Sequence, residues 1–180
     1  DPEKLPRALA DSSTRVMLLS ETGAAVNGDR LLFLDGPAYT PHAEDRQVFL
    51  GTHGTTTYVL AIVRSEHYPR IEREHWISLR EAFTVLDDIE AELFVESQAI
   101  ANWIRSEKFC PRCGSETRSA TLGWGQRCVA NDHELFPRTD PAIIAAVIDA
   151  EDRILLGANA SFRTHMYSVL AGFVEAGESL

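Results

Sequence analysis

Long apolar runs are missing from these 180 residues: the longest, residues 58–63 and 142–148, fall far short of the roughly twenty that a helical membrane span requires. That excludes a transmembrane helix and any membrane partner that needs one. The first ten residues, DPEKLPRALA, have neither a basic leader nor an apolar core of a secretory signal, and no initiating Met, so the expectation is a trimmed start and a cytoplasmic protein. Basic residues are scarce. Seventeen Lys and Arg face 27 Asp and Glu, a net charge of −10, which argues against a broad phosphate-neutralising footprint for nucleic acid. An anionic ligand must then be met by a local group of cations. Cysteine is equally sparse, and its three copies all fall between positions 110 and 128. An odd number clustered at short spacing points to a metal rather than to a disulfide framework.

What the chain does have is 44% hydrophobic residues, enough for one good-sized core or two smaller ones. Residues 16–20, 31–34, 48–50 and 58–63 read as short strands separated by turn-rich pieces such as NGD and DGPAYTPH. They predict a small, mainly antiparallel β domain. Helical spacing replaces this pattern over 78–106, where Ile89, Leu93, Ile100 and Trp103 recur after an Asp87-Asp88 pair suited to capping. Further on, DPAIIAAVID and RILLGA flank the turn-like DAED and read as neighbouring strands of a new sheet. No internal repeat, low-complexity tract or heptad run interrupts this order. The expected fold class is α+β: residues 1–106 an N-terminal, mainly β domain with a helix, 107–138 a cysteine-bearing ribbon, and 139–180 the start of a second α/β domain.

Cys110 and Cys113 form a C-x-x-C knuckle followed by Gly114, and Cys128 comes after a loop of fourteen residues. Thiolates so spaced can turn onto one tetrahedral ion, as in a zinc ribbon. A second full knuckle would need a ligand at Asn131, a poor zinc donor. The candidates for a fourth ligand are His133 and, after it, Asp132. Three free buried thiols without metal are the alternative.

Gly172, followed by five residues and then Glu178, matches the opening of the Nudix box. Around it, LAGFVEAGESL, the preceding FPRTDPAII, the cysteine ribbon and the helix ending ANWIRSEKFCPRCG occur in the order found in the NADH pyrophosphatase branch of the Nudix hydrolases, which this chain resembles from about Ser78 onward. The resemblance implies hydrolysis of the pyrophosphate bond of NADH or NAD+ to nicotinamide mononucleotide and AMP, removal of NAD caps from RNA, a structural Zn2+, a catalytic Mg2+ or Mn2+, an α/β/α Nudix sandwich and a symmetric homodimer. A pyrophosphate repels an incoming hydroxide, so divalent ions with hard oxygen ligands suit that chemistry.

Carried over residue by residue, the resemblance assigns Glu178 to the box loop, the Ala171 backbone carbonyl to the catalytic metal, and Arg80 and Phe136 to substrate. Gly123 replaces a Glu with which a relative contacts substrate. Glu175, Arg163 and His165 read as exposed loop residues. On this alignment Leu180 stands just inside the helix that bears the family's paired glutamates, so the whole protein is expected to hydrolyse NADH and these 180 residues alone are not. A zinc-ribbon nucleic-acid module, or hydrolysis of another nucleoside diphosphate derivative, is the alternative.

Overall fold

The computed structural model describes residues 3–82, 84–160 and 165–179, with the Glu74 side chain excepted. They form two compact units, residues 1–137 and 138–180.

The first unit is organised by a strand that is apolar on both faces. After helix α1 (Lys4–Ala10), strand β1 (Thr14–Leu19) turns Val16 and Leu18 to one side and Met17 and Leu19 to the other, each at most 1% exposed. A strand of this kind is stable only when covered twice. Around it lie β2 (Ala24–Asn27), β3 (Arg30–Leu31), β4 (Phe33–Asp35), β5 (Arg46–His53), β6 (Thr56–Ile62) and β7 (Trp76–Ile77), in one sheet of order β3-β2-β1-β6-β5, with β4 also on β1 and β7 on β2. The pairs are antiparallel, as expected, except the central one: β1 and β6 run parallel from Thr14↔Thr57 to Leu19↔Ile62. Leu5, Ala8 and Leu9 cover the Val16 face together with Tyr39 and Trp76.

The opposite face is closed by α3 (Asp88–Ser106) after a single-turn helix, α2 (Leu79–Ala82). Asp87 caps α3, its Oδ1 accepting the Glu90 N–H at 2.9 Å. Phe94, Ile100 and Trp103 of α3 pack against Met17, Leu19 and Leu60. The predicted stripe needs a correction: Ile89 is 40% exposed and Leu93 is half-buried, while Glu90 and Ser97 face inward. The helix is turned this way because Glu90 is an interior anchor. Its Oε2 accepts the buried Leu31 N–H at 2.9 Å and its Oε1 accepts Nε–H of Arg30 at 2.8 Å, tying the β2–β3 hairpin to the helix.

The ribbon strands β8 (Thr117–Ala120), β9 (Gly125–Cys128) and β10 (Glu134–Leu135) make a separate antiparallel sheet, order β10-β9-β8, within the same unit. In the second unit, β11 (Ala142–Ala145) pairs with β12 (Leu170–Phe173), bringing Ile144 opposite Ala171. RILLGA is therefore not a full neighbouring strand. It meets residues 147–148 through one bridge, Ile148↔Ile154, and one bond from the Leu155 N–H to the Val147 carbonyl. Asp149 closes that turn by accepting the N–H groups of Glu151 and Arg153, but the extended partner comes from far along the chain, where local pattern gives no sign of it.

Replacing Glu90 with Ala strands the buried Leu31 N–H, and a loss of about 2 kcal/mol in urea unfolding is expected. Arg30→Ala should cost clearly less, since its side chain is 62% exposed and the pair is solvent-screened.

Candidate metal centre and box loop

The knuckle residues turn back on themselves: Gly114 N–H reaches the Cys110 carbonyl at 2.8 Å and Cys110 N–H the Ser115 carbonyl at 2.7 Å. Gly114 takes φ +73°, a conformation that costs a glycine little. This turn and the end of β9 place the sulfurs of Cys110, Cys113 and Cys128 within 4.8 Å of one another, with Cys113 and Cys128 at 3.5 Å. Thiolates about 2.3 Å from one tetrahedral ion stand roughly 3.8 Å apart, so the trio is gathered close to the spacing that a zinc ion requires. No other group of three such ligands occurs among the described residues.

The surroundings favour thiolates unequally. Hydrogen bonds from the Ser115 hydroxyl and backbone N–H, followed by those of the other two thiols, pull Cys113 down to about 6. Burial pushes Cys128 up, although the backbone N–H groups of Asn131 and Ala130 oppose it. A bound cation would supply the compensation that the buried Cys128 sulfur lacks.

Of the two candidates for a fourth position, His133 is half-buried and its Nδ1 stands 3.8 Å from Cys110 Sγ, though outside the mutually close trio. Its backbone carbonyl accepts the Cys128 N–H at 2.9 Å, which holds the residue beside the sulfurs. The Asp132 carboxylate is otherwise engaged, bonded by Arg127 at 3.1 Å and Arg118 at 3.4 Å.

The remaining predicted residues lie elsewhere. Arg80 is exposed on α2, whose start is fixed by a capping box: Glu81 Oε2 accepts Ser78 N–H at 2.8 Å and its hydroxyl at 2.7 Å, and these bonds lower the Glu81 pKa. The signal SLRE was readable in the sequence as a helix start. Phe136, just past β10, is 60% exposed. In the second unit Ala171 sits inside β12, and Glu178 Oε2 accepts the Glu175 N–H at 2.9 Å while the Glu178 N–H returns to the Glu175 carbonyl at 3.0 Å. Glu175 and His165 are exposed; Arg163 lies outside the described residues.

Gly123 has a reason the sequence did not disclose. It takes φ +97° in a turn pressed onto β5, and a Cβ there would stand 2.7 Å from Val48 Cγ2 and 2.8 Å from the Gln47 carbonyl oxygen. A glutamate cannot be accommodated. Gly123→Glu should destabilise the first unit by about 2–3 kcal/mol, combining strain and overpacking, and a thermal midpoint within a degree of the wild type would contradict this.

The profile of the NADH pyrophosphatase-like rudimentary NUDIX domain matches residues 7–103, and that of the NADH pyrophosphatase zinc ribbon domain matches residues 105–136. The chain is 35% identical over 172 residues to the NAD-capped RNA hydrolase NudC of Mycobacterium tuberculosis, which covers 94% of this chain and 52% of the relative. It is 31% identical over 163 residues to NudC of Pseudomonas syringae pathovar tomato, covering 90% and 55%. To the human mitochondrial NAD(P)H pyrophosphatase it is 36% identical over 123 residues, covering 67% and 35%. The chain thus spans about half the length of the two NudC relatives, or less for the human one. With more than half of its length matched by the first profile and the ribbon following directly, the chain belongs to the family defined by the NADH pyrophosphatase-like rudimentary NUDIX domain and its zinc ribbon.

Proposed function

We propose that the whole protein hydrolyses the pyrophosphate bond of NADH or NAD+ to nicotinamide mononucleotide and AMP, and that it removes NAD caps from RNA by the same cleavage. The observation that carries this reading is the loop after β12: Glu178 folds back onto the Glu175 N–H, holding the G-x5-E opening of the Nudix box in a closed turn downstream of the matched ribbon. The names of the relatives, an NAD-capped RNA hydrolase and an NAD(P)H pyrophosphatase, agree with it. Arg80 and Phe136 are proposed as substrate contacts, the exposed Phe136 ring offering a face for a base. Residues 1–106, 107–138 and 139–180 are proposed as the functional divisions.

Mg2+ or Mn2+ is the proposed catalytic cofactor of the whole protein. Among the described residues no group of three oxygen ligands gathers to hold such an ion, and Glu178 is bonded within its own loop. Equal amounts of the 180-residue chain and the whole protein, incubated with NADH and Mg2+, should differ in AMP release by well over about tenfold, or roughly 1.4 kcal/mol of barrier. Turnover by the short chain within that factor would mean that its own residues carry the catalysis, and an inactive whole protein would remove the pyrophosphatase reading.

For the ribbon, one zinc per chain is proposed, held by Cys110, Cys113, Cys128 and His133. Elemental analysis of protein purified without chelator should return close to one equivalent. His133→Ala should lose zinc to a competing chelator faster than Asn131→Ala; equal retention moves the fourth ligand elsewhere.

A homodimer formed through the N-terminal unit and ribbon is proposed from family membership. Light scattering at about 50 μM, a concentration that populates complexes with a Kd of roughly 10 μM or below, should return twice the chain mass, and a monomer at that concentration contradicts it.

A further inference from the structure

A cleft of about 540 Å3 opens in the first unit where the end of α3, the ends of β5 and β6, and the β8–β9 face of the ribbon meet. Its volume lies within the roughly 300–1,000 Å3 of small-molecule sites. In a chain of net charge −10, this cleft gathers positive charge: Arg46, Arg64, Arg105 and Lys108 against Glu44 and Glu116. Arg64 is neutralised by Glu66 at 2.7 Å. Arg46 and Lys108 are not, and Arg105 feels only the Glu21 carboxylate, which stands beyond ion-pair distance. Arg46 bonds the backbone carbonyls of Glu44 and Asp45 at 3.3 Å each, Arg105 bonds the Leu19 carbonyl at 3.3 Å, and Lys108 is exposed; none has a carboxylate within ion-pair distance among the described residues. Phe109, which lines the same cleft, is 58% exposed. The Gln126 amide lines the cleft as well, 6% exposed and with its Nε2 unpaired among the described residues.

An aromatic face, cations without an ion-pair partner and a buried amide at one cleft suit a ligand that is planar at one end and anionic at the other. We propose that this cleft binds a nucleoside phosphate, the base against Phe109 and the phosphate between Lys108, Arg46 and Arg105. Stacking on one aromatic ring tolerates any base, and the cations supply the phosphate attraction that the rest of the acidic surface denies. The ligand is either a free mononucleotide or one unit of a single-stranded polynucleotide. The inference is independent of the pyrophosphatase reading, since none of these residues was assigned to it and binding is read without turnover.

The test is amide NMR of the zinc-loaded 15N-labelled chain, without added magnesium, titrated separately with AMP, inorganic phosphate and a short oligoadenylate. AMP should shift the amides of Lys108, Phe109, Thr117, Ser119 and Gln126 in a saturable way. Lys108→Glu combined with Arg46→Glu should weaken that binding at least tenfold. Phe109→Ala should weaken AMP at least fivefold and leave inorganic phosphate unchanged, with Phe109→Tyr restoring AMP. Oligoadenylate binding at least tenfold tighter than AMP would assign the site to a polynucleotide, and equal affinity to the free nucleotide. Absence of shifts at these amides up to about 10 mM AMP, a range that still registers millimolar affinity, would overturn the proposal, as would AMP and phosphate binding equally with Phe109→Ala affecting neither. Each variant spectrum also reports whether its chain is folded, so a collapsed variant is replaced by Phe109→Leu or Lys108→Gln with the same expected direction.

Discussion

The turn between β8 and β9 lies so close to β5 that no side chain fits at Gly123, and the placing of the ribbon in the first unit depends on that contact. Thr121, Leu122 and Gly123 all take positive φ, at 50°, 58° and 97°, and the two non-glycine residues are there at a cost in strain. The strain is offset by what the contact allows. Gly123 sits against Val48, and Trp124 reaches over β5 to donate its indole N–H to the Phe49 carbonyl at 2.8 Å. The ribbon is thereby fixed to the sheet as one body with it, and its β8–β9 face becomes a wall of the cationic cleft instead of a free surface. A zinc ion at the far end of the same hairpin would stiffen the strands that make this contact.

Much of this was legible. The four predicted strands are present because alternating and continuous apolar stretches leave few other ways to be buried, and the cysteine spacing implied the thiol trio because a knuckle has few geometries. The failures share a cause. Glu90 is a polar residue in an interior role, so hydropathy spacing placed the α3 stripe one residue early, at Ile89. RILLGA was paired with its sequence neighbour, whereas β11 is paired along its length by β12, whose approach depends on chain closure over some twenty-five residues. Gly123 looked like the loss of a contact residue, while its real constraint is the Val48 surface seventy-five positions earlier. The Phe109 cleft was not foreseen at all, since its walls come from three parts of the chain and no local motif marks them.

The ion pairs explain where an anion can bind to so acidic a protein. Arg15, Arg30, Arg127, Arg138 and Arg153 each have a carboxylate at 2.7–3.1 Å or closer, and exposed pairs of this kind contribute little to stability. Their larger effect is on the field: an arginine beside a carboxylate presents almost no net charge a Debye length away, about 10 Å at 0.1 M salt. These arginines therefore attract phosphates only weakly. Other cations stand outside these pairs among the described residues, among them Arg80 on α2 and Arg46, Arg105 and Lys108 around the cleft. An acidic surface on which three cations without an ion-pair partner line one cleft favours ligands that can bring a phosphate there and find an aromatic face beside it. Specificity for nucleotides would then arise from the placement of unpaired charge, and the overall acidity of the chain would sharpen it by discouraging every other mode of phosphate binding.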